Sequence, residues 1–590
     1  MNEAFVLLDD ARPGRETSRL FSGLAGTIMA REAAEVPPAL EALSAARENG
    51  FFAAGYFSYE LCYALEPRLA PLMPARVPTP LLWFGLFRSR EELSGRESAV
   101  WLESRVRGRA YAGPLRLGQT PEAYARSFAR VQDYIAAGDA YQVNLSFPAH
   151  FAFAGDPLAL YARLRGRAQA GHGAFIDDGT RHILSLSPEL FFAVENGVLT
   201  ARPMKGTAPR GADAAQDAQI ATRLKRSEKD RAENLMIVDL IRNDVGRVAR
   251  TGTVKVENLF DVETYPTVHQ MVSTVKGELR ASIAPADLVR ALFPCGSVTG
   301  APKMRAVEII RELEKEPRGI YCGAIGSFSP DGSASFNVAI RTLTIEGTEG
   351  RLGIGGGIVV DSRADAEYEE CLIKARFFEE GRPPLSLIET LRSDPTEGLV
   401  REDLHLTRLA RSAAAFGMAF DKAAALEALH GAARAAAGPS RLRLQWNEDG
   451  SFETACHPFV APTPETIWTY RISPRRLQSS DVLLRHKTSW REFYDEDRAS
   501  ANRLGCDEVV YLNERDELVE GSSTNIFVRM GGRLLTPAAS CGPLDGCLKR
   551  ALLDKGECAE AVLHLYDLED AEIYLGNSLR GLIRAMPFKQ

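Results

Sequence analysis

The residues most able to do chemistry are two spaced pairs of carboxylates and two lysines. In Ser227 to Arg242, Asp230 and Glu233 are three apart, and in Asp365 to Phe378 so are Glu367 and Glu370. On helices each pair shares one face, and Lys374 extends the second face by one more turn. Two acidic faces brought together suit Mg²⁺, which takes few protein carboxylates, keeps several waters and leaves room for an anionic substrate. Taken alone, such pairs are more often solvated helix faces. Lys205 lies in P-M-K-G-T, and a lysine amine, once desolvated and deprotonated, is a nucleophile. Lys487, in H-K-T-S-W-R, would by itself be an ordinary surface lysine. Gly355 to Gly357 read either as a flexible turn or as backbone that lets N–H groups approach an anion; they do not fit the dinucleotide fingerprint.

Elements must hold these groups in place. At 590 residues the chain is too long for one core. After a charged helical stretch, Glu379 to Pro384 ends in Pro-Pro, which cannot continue a helix. This divides the chain into residues 1–378, a linker at 379–386, and residues 387–590. Upstream, His182 to Val194 and Ser335 to Ile345 read as strands, and Pro121 to Ala137 and Arg226 to Ile241 as helices. Downstream, Asp403 to Phe416 reads as a helix, and Glu508 to Leu512 and Ser523 to Val528 as strands. The fold class is α+β. A net charge of -7 offers no basic patch for nucleic acid or an acidic membrane. No run reaches membrane-spanning length, and Met1 to Ala11 does not read as a signal peptide. The nine cysteines are scattered without a C-x-x-C pair, as expected of reduced thiols in the cytoplasm.

Seven blocks then occur in one order: A-G-D-A-Y-Q-V-N-L-S from Ala137, S-P-E-L-F from Ser187, P-M-K-G-T-A-P-R from Pro203, E-N-L-M-I-V-D-L-I-R-N-D from Glu233, C-G-S-V-T-G-A-P-K from Cys295, F-N-V-A-I-R-T from Phe336 and G-G-G-I-V from Gly355. Over residues 120–378 this resembles the chorismate-utilising enzymes. The resemblance implies a large fold whose β-sheets, flanked by helices, enclose a deep site where Mg²⁺ grips the ring carboxylate of chorismate. It makes Glu233 and Glu370 metal ligands, with Asp230 and Glu367 holding metal-bound water; relatives often carry Glu where Asp230 stands. Arg341, Ser297, Tyr321, Gly357 and Lys374 become substrate contacts. Gln142 stands where the water-adding members have a lysine base, and Lys205 where anthranilate synthases usually have alanine. Both point to the aminodeoxychorismate branch. There Lys205 is the nucleophile, Glu189 the acid that expels the C4 hydroxyl, and His269 a further catalytic residue. Phe51 to Leu61 is similar to the segment where relatives bind tryptophan, but so short an N-terminal region makes that site doubtful. No stretch resembles a glutamine amidotransferase, so ammonia is expected from a separate amidotransferase subunit or from free ammonium.

From Leu387, a second ordered set comprises L-I-E-T-L-R, H-L-T-R-L-A-R-S-A from His405, H-K-T-S-W-R from His486, Y-L-N-E-R-D-E-L-V-E-G-S-S-T-N-I-F-V from Tyr511 and L-D-G-C-L-K-R from Leu544. Nearly all of residues 385–590 thereby resemble the class IV pyridoxal-phosphate enzymes, a fold of two α/β subdomains. The resemblance makes Lys487 the Schiff-base lysine and Glu520 the partner of the pyridine nitrogen. Arg408, Ser578 and the N–H groups of Gly546, Cys547 and Leu548 become the phosphate cradle. Leu548 replaces a common threonine, and Glu492 replaces the tyrosine of transaminases, which favours lyase chemistry. The usual D-R-G and G-D-G blocks are missing, so the small subdomain begins late. The class usually dimerises, and a homodimer through the C-terminal half is expected. Together the halves would aminate chorismate and then release pyruvate to give 4-aminobenzoate, a folate precursor. The alternatives are an anthranilate synthase-like half fused to an amino-acid aminotransferase, or one half acting only as a scaffold.

Overall fold

The computed structural model describes residues 4–14, 17–265, 268–281, 283–569 and 571–589. Met1 to Glu3 of the N-terminal stretch, and Thr267 close to His269, lie outside them. The chain forms two compact units. The first is Met1–Arg105, Pro114–Phe151 and Tyr161–Gly381; the second is Val106–Gly113, Ala152–Leu160 and Arg382–Gln590. The main break falls between Gly381 and Arg382. The two short excursions carry residues of the first half of the sequence into the second unit, which no local sequence signal announces.

In the first unit one antiparallel succession runs through Val198–Ala201, Leu190–Glu195, Ala334–Val338, Ala324–Phe328, Phe52–Phe57, Leu82–Ser94, Thr17–Ala30 and Val6–Asp9. It continues through His172–Asp177, His182–Ser187, Thr342–Glu346 and Glu349–Ile358. The last strand lies beside Gln142–Gly155. Val268–Glu278 pairs with both Val198–Ala201 and Met204–Pro209, which brings Lys205 into the sheet. Alternation along these strands turns Tyr56, Trp83, Phe87, Ile176 and Ile325 into one apolar core.

Two helices carry the acidic pairs. Glu228–Gly246 starts where Ser227 Oγ accepts the Asp230 N–H at 3.3 Å, a side-chain cap that fixes the first turn. Ala364–Glu379 begins with Asp365 and Glu367 in its first turn, where the helix dipole favours negative charge.

The second unit holds two sheets. The smaller runs Gly398–Leu399, Ser386–Asp394, Ser440–Asn447, Phe452–Pro458. The larger runs Leu518–Gly521, Glu508–Asn513, Ile467–Leu477, Gly581–Pro587, Glu572–Asn577, Asn525–Met530, Arg533–Pro537, Ala559–Ala561, mixing parallel and antiparallel pairs. Its core gathers Val510, Leu512, Ile526, Val528 and Leu575. The helix Glu402–Ala415 presents His405 and Arg408 on its buried side.

Candidate functional sites

In the first unit Lys205 projects from Met204–Pro209 beside the glycine-rich strand. A side chain on Gly357 would put its Cβ 3.0 Å from Lys205 Nζ and 2.9 Å from Gln142 Nε2, so glycine keeps that space open. Lys205 retains some exposure, but crowding by protein lowers its pKa, helped by the nearby Lys374 charge and opposed by Glu233, Glu189 and Glu370. Gln142 is fully buried, and its side-chain amide has no hydrogen-bond partner among the described residues. Glu189 is 4% exposed and accepts the Ser297 hydroxyl at 2.7 Å. Burial pushes its pKa up to about 7, although Ser297 and Lys205 pull it down.

The four helix carboxylates converge electrostatically on the same place. Burial raises Glu233, with Lys205 and Lys229 opposing and Asp230 and Glu367 reinforcing. Burial likewise raises Glu367, which also accepts the Ser362 hydroxyl at 2.6 Å and feels Glu370. Burial would lift Glu370 too, but Lys374, 2.8 Å away, holds it below the usual value. Lys374 also donates to the Gly355 carbonyl at 3.0 Å, tying the acidic helix to the glycine strand. Gly206 has φ +90, and a Cβ there would lie 3.0 Å from the Asp230 carboxylate. Asp230 thus packs against the residue next to Lys205.

The second unit encloses a cavity of about 430 Å³ lined by Lys487, Glu520, Arg408, Gly546, Cys547 and Ser578, among others. Crowding lowers the Lys487 pKa to about 7, with the Arg408 charge adding to the shift and Glu389 opposing it. Glu520 accepts the Tyr494 hydroxyl at 2.7 Å and the Leu544 N–H at 2.9 Å, and burial raises it to about 7. Arg408 forks onto Glu389 at 2.9 and 2.5 Å. His405 bridges Glu389 at 2.6 Å and Ser578 Oγ at 2.8 Å. The helix Cys547–Asp554 starts at the cavity wall, leaving the Cys547 and Leu548 N–H groups without intrahelical acceptors.

The family model for chorismate binding enzymes matches residues 3–380. The chain belongs to the chorismate binding enzyme family. Residues 386–586 match the model for amino-transferase class IV. Aminodeoxychorismate synthase component 1 of Escherichia coli (strain K12) is 48% identical over 255 residues, 43% of this chain and 56% of that protein. Anthranilate synthase component 1 of Streptomyces coelicolor is 41% identical over 258 residues, 44% of this chain and 50% of that protein. The crystal structure of anthranilate synthase component I from Streptococcus pneumoniae TIGR4 superposes with a TM-score of 0.53 at 26% identity, covering 64% of this chain and 92% of that one. The chain spans little more than half the length of the first curated relatives it matches.

The cofactors of the two families, Mg²⁺ and pyridoxal phosphate, fit what is present. The acidic cluster offers oxygen donors only, as Mg²⁺ requires. The second cavity pairs a lysine of depressed pKa with a buried carboxylate and a helix N-terminus, the three supports pyridoxal phosphate needs.

Several expected site residues have other engagements. His269 is buried, with its ring nitrogens on Asp217 at 2.8 Å and Thr264 at 3.0 Å; its bonds run to those residues and not to Lys205 or Glu189. Tyr321 is buried over Gly353 and lines a cavity of about 200 Å³ shared with Arg318 and Arg351. Arg341 takes a left-handed φ of 48 and donates no bond to a carboxylate among the described residues; burial lowers its pKa. The Gly546 N–H, expected in the phosphate cradle, donates instead to the Leu544 carbonyl at 2.9 Å.

Other residues escaped sequence reasoning. Tyr494 reaches Glu520 from two positions beyond Glu492. Arg491, Tyr494, Asp495 and Arg498 all line the second cavity, and their spacing of three, four and seven was a readable signal of one helix face. Arg441 and Arg443 line it too. They alternate with buried Leu442 and Leu444 in Ser440–Asn447, a period-two pattern visible in the sequence.

Proposed function

We propose that the chain catalyses two consecutive reactions: amination of chorismate at ring C4 to 4-amino-4-deoxychorismate, then elimination of pyruvate to give 4-aminobenzoate. The observation that carries this reading is Lys205, an amine of lowered pKa held between Glu189, the unpartnered amide of Gln142 and the acidic cluster. In the first reaction the neutral Lys205 amine adds to ring C2 as Glu189 gives its proton to the departing C4 hydroxyl, which leaves as water. Ammonia then adds at C4 and the Lys205 amine leaves C2, so Lys205 is regenerated. Glu233 and Glu370, with Asp230 and Glu367 behind them, would hold Mg²⁺ against the ring carboxylate. Arg341, with no carboxylate partner among the described residues, suits the enolpyruvyl carboxylate, with Gly357, Ser297, Tyr321 and Lys374 as further contacts.

Bound pyridoxal phosphate would supply an electron sink for the amine-bearing carbon in the second reaction. Lys487, poised near neutrality, would take the C4 proton, and Glu520 would keep the pyridine nitrogen charged. Arg441, Arg443 and Arg491 give the cavity a cationic face suited to a substrate with two carboxylates.

Ammonia is supplied by a separate glutamine amidotransferase subunit, in keeping with relatives named component 1. Among the described residues no helix is long and apolar enough to cross a membrane, and we assign the chain to the cytoplasm. It pairs as a homodimer through its C-terminal half; a monomer in light scattering at working concentration would overturn that pairing. The reading as a whole is tested by chromatography of products from chorismate, Mg²⁺ and ammonium, with and without pyridoxal phosphate. 4-Aminobenzoate and pyruvate are expected, and aminodeoxychorismate accumulates in Lys487→Ala. Anthranilate as product would refute the assignment of Lys205.

A further inference from the structure

The second unit contains residues that its own stretch of sequence does not supply. Ala110–Ala112 pairs antiparallel with the end of Gln142–Gly155, through Ala110↔Gly155, Tyr111↔Ala154 and Ala112↔Phe153. Tyr111 and Ala152 are buried in the same apolar cluster as Leu387, Leu406, Leu444 and Leu483. This ribbon lies on the segment that presents Lys487. Tyr111 meets Phe416 edge-on at 5.0 Å, and Phe416 meets His486, the neighbour of Lys487, at 4.8 Å.

Arg109 stands at the start of the ribbon and lines the Lys487 cavity. Its Nη1 donates to the Trp490 carbonyl at 2.7 Å and its Nε to Asp481 Oδ2 at 3.1 Å. Asp481 is 7% exposed, and its other oxygen accepts the Leu483 N–H at 2.9 Å, capping the turn Val482–Arg485. One guanidinium thus grips the segment on both sides of Lys487. The fit is close: Gly108 has φ +157, and a Cβ there would fall 3.0 Å from the Asp481 Cβ. Ser480 Oγ donates to the Arg107 carbonyl at 3.3 Å.

We propose that Arg109 is a positioning residue for Lys487, delivered from the first half of the sequence, so that the class IV stretch 386–586 does not contain everything its own site needs. A planar fork suits this task because it satisfies a carboxylate and a carbonyl at once, and a lysine would satisfy one. The proposal rests on the reading of Lys487 as the cofactor lysine, but its structural part can be tested separately.

The test uses the full chain with Arg109→Ala and Arg109→Lys, and reads two quantities. Hydrogen exchange of the cofactor-free chain should be about ten-fold faster for the amides of 482–491 in Arg109→Ala, and unchanged in Glu508–Asn513 and Asn525–Met530. The dissociation constant of pyridoxal phosphate, followed by absorbance, should rise by about ten-fold, with Arg109→Lys between the two. Exchange and affinity both within about two-fold of the parent chain would overturn the proposal. If Arg109→Ala loosened the whole second unit, Arg109→Lys decides: fast exchange confined to 482–491 supports the clamp, and parent-like exchange there refutes it. If the parent chain bound no pyridoxal phosphate, the cofactor reading would fail, while the exchange comparison would still judge the clamp.

Discussion

Ser297 Oγ donates to Glu189 Oε1 at 2.7 Å with both side chains buried, and this bond favours the charged form of a carboxyl that burial has pushed up to about 7. Removing it in Ser297→Ala should raise the Glu189 pKa further, by about one unit for the loss of a hydrogen bond to a charged group. A general acid works while protonated, so the alkaline limb of kcat/KM for the first reaction should move to higher pH by the same amount. An unmoved limb would remove Glu189 from the role of acid.

Lys487 gives a stability signature whose sign is fixed. Its folded pKa is lowered to about 7 from the ordinary lysine value of 10.5. Between those values the unfolded chain holds the proton and the folded chain does not, so stability rises with pH across that window. Below the folded pKa the cost of charging the buried amine is fully present. Relative to Lys487→Met, the cofactor-free parent should gain up to about 1.4 kcal/mol per pH unit between pH 7 and 10. Urea melts of the two chains at several pH values measure the difference; parallel curves would mean that Lys487 is not desolvated.

Tyr494 holds Glu520 in the same manner. Its hydroxyl donates to Glu520 Oε1 at 2.7 Å and lowers a pKa that burial raises to about 7. In Tyr494→Phe the carboxylate should protonate more readily, and a neutral Glu520 would weaken its ion pair with a charged pyridine nitrogen. Pyridoxal phosphate affinity should fall by about three- to ten-fold at neutral pH and recover as pH rises. Absorbance titrations at two pH values test this, and a pH-independent loss would point to packing alone.

The acidic cluster should respond to a divalent cation. Glu233, Asp230, Glu367 and Glu370 crowd like charges together, and a cation that binds only the folded state stabilises it by mass action. Millimolar Mg²⁺ should raise the melting temperature of the first unit by a few degrees. Glu233→Gln should need about ten-fold more Mg²⁺ for the same rise. Scanning calorimetry measures both, and an identical Mg²⁺ response in the variant would exclude Glu233 as a ligand.

Local pattern carried much of this architecture. The helices Glu228–Gly246 and Ala364–Glu379 lie where local spacing places them, while the run His182 to Val194, read as one strand, is two strands, His182–Ser187 and Leu190–Glu195, that pair with different neighbours. Spacing alone also set each carboxylate pair on one helix face. Long-range placement was not legible. That His269 turns to Asp217, that Tyr321 lies over Gly353, and that Arg408 is already held by Glu389 depend on partners in other elements of the fold. Tyr494, two positions beyond Glu492 and on another side of the same helix, reaches Glu520 through a contact that no local pattern announces. The ribbon Val106–Gly113 gave no signal, because an apolar strand reads alike whichever core it joins.

That ribbon also constrains how the protein can be made. A ribosome releases residues 106–113 and 152–160 long before Arg382 appears, and domains ordinarily fold as units as they emerge. Here the second unit cannot close on its own nascent segment, because part of its core was synthesised much earlier and must wait with Tyr111 uncovered. Its completion depends on contacts very distant along the chain, the kind that slow folding most. Newly made chains would therefore carry a period of exposure in which that strand pair is open to chaperones and to mispairing.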